Sequence, residues 1–425
     1  MRSSVQILRL LREHERLSRK QLTDLTGMTN AGVGNAVKSL LHSKVVREVG
    51  QVMESDWGRP TKILEINSEG GYVLGGAIKG DRVDLCLVDL MGRWVDGVSL
   101  PNPFTASKDD DPGSVNAVLR AAEELVAGQQ SRRLLAAGFS SSGVLAEARD
   151  QFLSTNYAIA LPQINRLMEA VRRRLGVPVV PENDVDAALL AEAWTIRHAH
   201  QRPNMIYVND LLGFSLLING KRIPESMGCR RYLGPAQVER SAVPLLPERA
   251  GCLDASGSLS SMTDRLSGYV YGHRPRISAE EQAREIRALF DRYEQGDALV
   301  VAMFKRAFDD LGFVLRNQAL LFHFDVVVLE GWTPRILADG IQRVQAMLEN
   351  GHYGLPPKQT SVPPVVRAAS LGDRQQTFGT ALSAAEHWLS TAASRTGRQK
   401  RRAPVAIIPG AGAGRPRMQR IMAGG

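Results

Sequence analysis

The chain of 425 residues is poor in cysteine, with three thiols, Cys86, Cys229 and Cys252, set far apart. An odd, scattered set excludes a disulfide framework and fits a reducing compartment. Uninterrupted apolar runs of about 18 residues are also missing, which excludes a membrane-spanning helix. The first ten residues carry Arg2 and Arg9 inside a helical pattern and have no apolar stretch ending in small residues, so they do not read as a secretion signal. Acidic residues are absent from 394–425, which hold eight Lys and Arg. The chain as a whole is +9, divided as +4 over residues 1–66, +8 over 394–425 and −3 between them. Positive charge therefore sits at the two ends of a mildly acidic body, as in a phosphate-binding module joined to a separate domain. The tail by itself reads as a disordered, solubilising extension. What is present otherwise is ordinary for a globular protein, 44% hydrophobic and 23% charged, and the length exceeds one compact core.

The first 66 residues carry three short helical patterns and two strands. Val5, Ile7, Leu8, Leu10 and Leu11 make one apolar stripe. Ser18 is placed as the N-cap of a second helix whose inner face is Leu22 and Leu25, and Gly27 ends it in a tight turn. Thr29 is placed as the cap of a third helix, with Val33, Ala36, Val37, Leu40 and Leu41 inward. Thr29, Asn30, Gly32, Asn35 and Lys38 fall on its outer face, which is small, polar and basic. Such a face suits a major groove, where Asn bonds adenine edges and Lys reaches phosphate or guanine. Ser18 and Arg19, at the start of the preceding helix, complete the expected DNA-facing set. Val45–Val49 and Thr61–Ile66 alternate as strands around a polar loop ending in Gly58-Arg59-Pro60. Arg59, held extended by its neighbours, suits a narrow minor groove. The reading is a winged helix-turn-helix over 1–68.

The middle of the chain alternates strands and helices in two similar halves, which indicates an α/β fold. Strands are expected at 72–78, 83–88, 94–100, 135–139, 177–180, 205–208, 214–218 and 326–329, with a turn at Ser140–Gly143 and a hairpin at Asn219-Gly220. Helices are expected at 114–128, 163–175, 184–200, 279–293 and 298–322.

These features together resemble the ROK family, which groups bacterial repressors, open reading frames and sugar kinases. The resemblance runs from about residue 4 to about residue 390. It rests on the Gly-Arg-Pro wing followed by Leu64-Glu-Ile-Asn67 and Gly71-Tyr-Val-Leu-Gly75, on Pro181-Glu-Asn-Asp-Val-Asp-Ala-Ala188, and on Leu371-Gly-Asp373 with Thr377-Phe-Gly-Thr-Ala381. It implies a two-lobed, actin-like and ribonuclease-H-like body, with lobes at 69–196 and 197–393, the last helix returning to the first lobe, and the tail at 394–425. It also implies functional residues that this chain has changed. The kinases' first phosphate turn, Asp-Ile-Gly-Gly-Thr, is Ala77-Ile-Lys79-Gly-Asp81 here, without the carboxylate that positions magnesium and with Lys79 in place of a glycine. The second, Gly-Thr-Gly-Ile-Gly-Gly, is Asn209-Asp-Leu-Leu-Gly-Phe-Ser215. The zinc motif keeps Cys252 alone, its other positions being Val238, Leu245 and Pro247, and one thiolate cannot hold tetrahedral zinc. The sugar motif Gly-Glu-x-Gly-His is Gly234-Pro-Ala-Gln-Val238. Asn156, Asn183 and Asp184 remain as possible contacts for a hydroxylated ligand. The resemblance gives Asp184 the role of general base; read alone, it is equally an N-cap for the helix that follows. Trp332 either fills the vacant nucleotide cleft or packs at a helix start, and His198 and His200 read as surface residues.

The expectation is therefore a sequence-specific DNA-binding transcriptional regulator, a repressor by preference, in the bacterial cytoplasm on the nucleoid. Its partners are a double-stranded DNA operator, one or three further copies of itself, and a small sugar-like effector; no cofactor and no metal is expected. The alternative is a ROK sugar kinase that phosphorylates a hexose with ATP, and a third reading is a body that only dimerises.

Overall fold

The computed structural model describes residues 2–52, 61–104, 112–129, 132–155, 159–197, 203–223, 231–238, 251–268, 277–349 and 362–399. Arg59, Asn156, His198, His200, Cys229, the zinc-motif positions 245 and 247, and the tail beyond 399 lie outside the described residues. Among the described residues no helix is long and apolar enough to cross a membrane.

The chain opens with α1 (Arg2–His14), β1 (Arg16–Ser18), α2 (Arg19–Thr26), α3 (Asn30–His42), β2 (Val46–Val52) and β3 (Thr61–Ile66). This is the element order of a winged helix, and its strands form an antiparallel sheet, β1-β3-β2. Local chemistry sets each junction. Ser18 and Gln21 make a reciprocal capping box, the Gln21 N–H donating to Ser18 Oγ at 3.1 Å and the Ser18 N–H to Gln21 Oε1 at 2.8 Å. Gly27, at φ 66°, takes the left-handed conformation that ends α2. Thr29 then caps α3, its Oγ1 accepting from the Gly32 N–H at 3.2 Å. Ile7, Leu8, Leu11, Leu22, Val33, Val37 and Leu40 close inward as a common core. Leu25, expected inside, is 49% exposed, because α2 is only eight residues long and presents a single buried position, Leu22.

The body continues with β4 (Tyr72–Ile78), β5 (Arg82–Asp89), β6 (Trp94–Pro101), α4 (Pro112–Ala127), β7 (Leu134–Ser141), β8 (Gly143–Leu145), β9 (Phe152–Thr155), α5 (Leu161–Leu175), β10 (Val179–Asn183) and α6 (Asp184–Thr195). A second run holds β11 (Met205–Asn209), β12 (Phe214–Ile218), β13 (Lys221–Arg222), α7 (Leu253–Gly257), α8 (Leu259–Leu266), α9 (Ala279–Glu294), α10 (Ala298–Phe322), β14 (Val326–Glu330), α11 (Pro334–Glu349) and β15 (Val365–Ala368). The last helix is α12 (Gln375–Gln399).

The two five-stranded sheets are ordered β6-β5-β4-β7-β10 and β13-β12-β11-β14-β15. In each, three strands form an antiparallel meander and two more join the first of them in parallel. The halves thus share one strand order, 3-2-1-4-5, a duplication that the alternating sequence pattern anticipated. After the second sheet α12 crosses back onto the first, passing so near β4 and β7 that only small residues fit. A Cβ on Gly75 would lie 2.6 Å from the Thr377 carbonyl oxygen, and one on Gly138 3.0 Å from that of Thr380.

Several expected boundaries move. Ser140 and Ser141 are not a turn but the end of β7, and Gly143 opens the β8–β9 hairpin. The helix expected to run to His200 ends at Thr195. Trp332 lies edge-on to Phe308 with centroids 5.2 Å apart, buried in the second half's core. It therefore packs at the start of α11 and does not fill a cleft. Cys252 is buried at the start of α7.

Candidate nucleic-acid interface and the cleft between the sheets

The outer face of α3 is built by its inner one. Val33, Ala36, Val37 and Leu40 anchor the helix at the i, i+3, i+4, i+7 spacing. That turns Thr29, Asn30, Asn35 and Lys38 to solvent, with Gly32 partly covered. Thr23 Oγ1 donates to Asn30 Oδ1 at 3.1 Å, which fixes the Asn30 amide against α2. Arg19, also exposed, lies 3.4 Å from Glu48, and Glu48 holds Lys62 of β3 at 2.5 Å. Ser18 leaves the expected DNA-facing set: it is fully buried and its hydroxyl is engaged in the cap.

Where the two halves meet, at the start of α6, Asp184 comes near Asp210 and Glu330 of the second half, and this inter-lobe cleft is the second candidate site. Asn183 caps this helix, its Oδ1 accepting from the Val185 and Asp186 N–H groups at 3.1 and 3.3 Å, while its Nδ2 donates to the Gly143 carbonyl at 3.0 Å. The cap is therefore Asn183 and not Asp184, and Asn183, 3% exposed, is a structural residue with little left for a ligand. Asp184 is half-buried, and burial with the nearby Asp186 pushes its carboxyl up to about 6.

The two turns that the resemblance aligns with phosphate loops carry charged side chains with partners in this chain. The Lys79 ammonium donates to the Asp373 carbonyl oxygen at 2.9 Å and pairs with Asp84 at 2.9 Å, tying the first hairpin to the segment before α12. Arg82 joins the same tie, to Asp84 at 3.2 Å and Asp373 at 3.0 Å. In the second turn, Asp210 lies against Gly331, where a Cβ would come within 2.4 Å of its carboxyl carbon. Burial pushes Asp210 up to about 7, with Asp184 adding repulsion, and pushes Glu330 up to about 7, partly offset by Lys79.

Sequence reasoning missed the ionic joints between the halves. Glu182 accepts from Arg149 at 2.6 Å and Ser383 at 2.6 Å on its own side, and pairs with Arg222 of β13 at 2.8 Å. Asp186 is held by Ser215 Oγ at 2.5 Å and by Arg231 Nε at 3.0 Å. Further along α6, Glu192 receives the Ser370 N–H at 2.5 Å and Arg367 at 2.5 Å. A signal existed: Asp186 and Glu192 flank the apolar run Ala187–Ala191 and Glu182 is near the end of a strand, and buried carboxylates require partners.

The raised carboxyls give a pH prediction. Asp184, Asp210 and Glu330 titrate near 4 when the chain is unfolded and at about 6, 7 and 7 when folded. Between pH 4 and 7 the folded chain holds more protons, so their contribution to stability falls as pH rises through that window. The Asp210→Asn variant is expected to gain melting temperature relative to the parent at pH 8 and to approach it near pH 3, below the unfolded-state value. A parent and variant that differ equally at both pH values would contradict this.

Two sheets of one strand order, with the last helix returning to the first, define the actin-like, ribonuclease-H-like class. The ROK family's sequence signature matches residues 75–387, and the chain belongs to the ROK family. Among curated relatives, a transcriptional regulator of Mycobacterium tuberculosis is 24% identical over 280 residues, 65% of this chain and 60% of that protein. The chain thus spans less than two thirds of that relative's length. Among solved structures, a ROK family transcriptional regulator described as a homolog of the E. coli MLC protein is similar with TM-score 0.64 and 17% identity, over 89% of this chain and 94% of that one. The ROK hexokinase of Thermus thermophilus is similar with TM-score 0.53 and 22% identity, over 74% of this chain and 97% of that one.

Proposed function

We propose that this chain is a DNA-binding transcription regulator, a repressor in its simplest form, in which residues 1–68 read an operator and the kinase-like body assembles copies and senses a small molecule. The observation that carries the reading is the outward face of α3: Thr29, Asn30, Asn35 and Lys38 stand exposed on a helix whose opposite face is anchored in the core. These side chains, with Gly32 allowing close approach, suit the major groove, Arg19 a flanking phosphate and Arg59 the minor groove. Two heads in a symmetric pair read a palindrome. Relatives named as transcriptional regulators support the same role.

For the body, Asp184 at the start of α6 is the contact proposed for a hydroxylated effector, together with Asn156, which lies outside the described residues. Kinase chemistry is disfavoured by Lys79, whose ammonium is tied to Asp84 and Asp373 where a phosphate turn needs open backbone. Asp210 puts a carboxylate in the second turn, which repels phosphate. The specific observation on the other side is Asp184, whose carboxyl at about 6 is poised for proton abstraction.

The test has two arms on the full chain. DNA is selected from a random pool and its affinity measured at two salt concentrations, and ADP release is followed with ATP over a panel of hexoses. The expected result is a recovered sequence motif bound with steep salt dependence, and no ADP release above background. Turnover abolished by Asp184→Asn, with no motif recovered, would make the kinase reading the correct one.

A further inference from the structure

The DNA-reading head is not tethered loosely to the body. Its core is continuous with the body's: Ile7, Leu8 and Leu11 of α1 share one buried cluster with Phe378, Ala381, Leu382 and Leu389 of α12. At the centre of that contact stands a charge. Arg12, 8% exposed, lays its guanidinium on the ring of Trp194 at 4.5 Å, with Glu386 of α12 at 3.8 Å. Arg197 lies 4.0 Å from the same ring. Trp194 is wedged in turn on Gly92 of the β5–β6 turn, where a Cβ would meet its ring at 2.4 Å. Burial disfavours the charged form of Arg12, Glu386 and Asp89 partly offset this and Arg197 adds to it, so the contact is specific in geometry and costs charge solvation.

Trp194 is near the last residue of α6, the helix whose first residues lie at the cleft. Along its length α6 is gripped by the second half at three points. Val185 Cγ1 would lie 3.1 Å from a Cβ on Gly213 of the second turn. Asp186 is held by Ser215 and Arg231, and Glu192 by Ser370 and Arg367. A shift of the second half against the first pulls on these carboxylates. A helix of 12 residues is stiff and spans about 18 Å, so the displacement arrives at Trp194.

We propose that α6 is the strut by which the state of the cleft sets the placement of the DNA-reading head, with Arg12 the positioning residue at the head end. This rests on the regulator reading above. In a paired molecule, the rigid seat of each head on its body fixes the distance between the two reading helices. Arg12 itself touches no DNA in this scheme; it acts through the seat.

The measurement is operator affinity of the full chain over palindromes whose half-sites are moved apart or together by one to three base pairs, together with affinity for a single half-site. The parent is expected to prefer one spacing by tenfold or more. Arg12→Ala is expected to bind the single half-site within twofold of the parent but to discriminate among spacings by less than threefold. Arg12→Lys, which keeps the charge without the planar stack, is expected to behave like Arg12→Ala and guards against loss of folding in the larger truncation. Glu192→Gln, remote from any DNA, is expected to move the preferred spacing or flatten the profile. A parent that binds the half-site but ignores spacing overturns the strut, and so do variant profiles that superimpose on the parent's. A parent that binds no half-site overturns the regulator reading instead.

Discussion

Replacing Asn35 and Lys38 together by alanine is expected to lower affinity for the selected operator by about 100-fold. Both side chains are exposed on the outer face of α3, so neither contributes to the head's core. A specific base contact is worth about 1–3 kcal/mol, and about 1.4 kcal/mol is tenfold in affinity, so the base contact of Asn35 together with the phosphate charge of Lys38 reaches that range. The two residues separate by salt dependence. Lys38→Ala removes one phosphate-neutralising charge and flattens the slope of log affinity against log salt by about one. Asn35→Ala leaves the slope and relaxes the base preference at one position. Since exposed substitutions away from caps change stability by less than about 0.5 kcal/mol, the melting temperature is expected to stay where it is. Fluorescence anisotropy at two salt concentrations, with a thermal melt on the same samples, makes the comparison. A combined loss of less than about threefold would remove α3 from the DNA surface.

What could be read from residues alone followed from period and punctuation. The capping pairs Ser18/Gln21 and Thr29/Gly32, the left-handed Gly27, and the hairpin at Asn219-Gly220 are local chemistry, and local chemistry is written in order along the chain. The two halves were legible because each repeats strands and helices in the same sequence. The elements that escaped are the short β1, β8, β9, β13 and β15, the helices α7 and α8, and α11, which follows the last strand that was expected; β1 and β13, at three and two residues, form only against the edges that β3 and β12 offer. On α3, helical periodicity placed Thr29, Asn30, Asn35 and Lys38 outward, and all four are exposed. Ser18 and Asn183 were misjudged because a polar side chain at a helix start has two possible partners, ligand and backbone, and the backbone is closer. The ionic joints at Glu182, Asp186 and Glu192 were invisible as pairs, since their partners Arg222, Arg231 and Arg367 lie far along the chain. Arg12 was visible as an anomaly, a charge four residues after Leu8 on the apolar stripe of α1, but only the position of Trp194 gives it a reason.

The second large effect is expected at Gly379, where substitution by alanine should destabilise the chain by about 3 kcal/mol or more, at the upper end of overpacking costs. Here α12 crosses α6, whose Ala187, Ala188 and Ala191 are small and buried, while Ala381 and Ala384 of α12 are turned to Gly75 and Gly138 of the sheet. A Cβ on Gly379 would stand 1.7 Å from the carbonyl oxygen of Ala187 and 2.5 Å from its carbonyl carbon. Backbone cannot step aside as a side chain does, so the two helices must separate, and α6 carries the cleft at one end and Trp194 at the other. For a chain of this size the loss corresponds to a fall in melting temperature of roughly 3 °C or more, and operator binding is expected to weaken with it. Gly34→Ala in α3 is the control. Nothing lies within 4 Å of its added Cβ, so the better helix propensity acts alone. That substitution is expected to raise stability by about 0.5–1 kcal/mol. The same methyl group should thus have opposite signs at the two glycines, as read by thermal melts of both variants beside the parent. A Gly379→Ala chain that melts with the parent would show that α6 and α12 are not held as closely as this crossing requires.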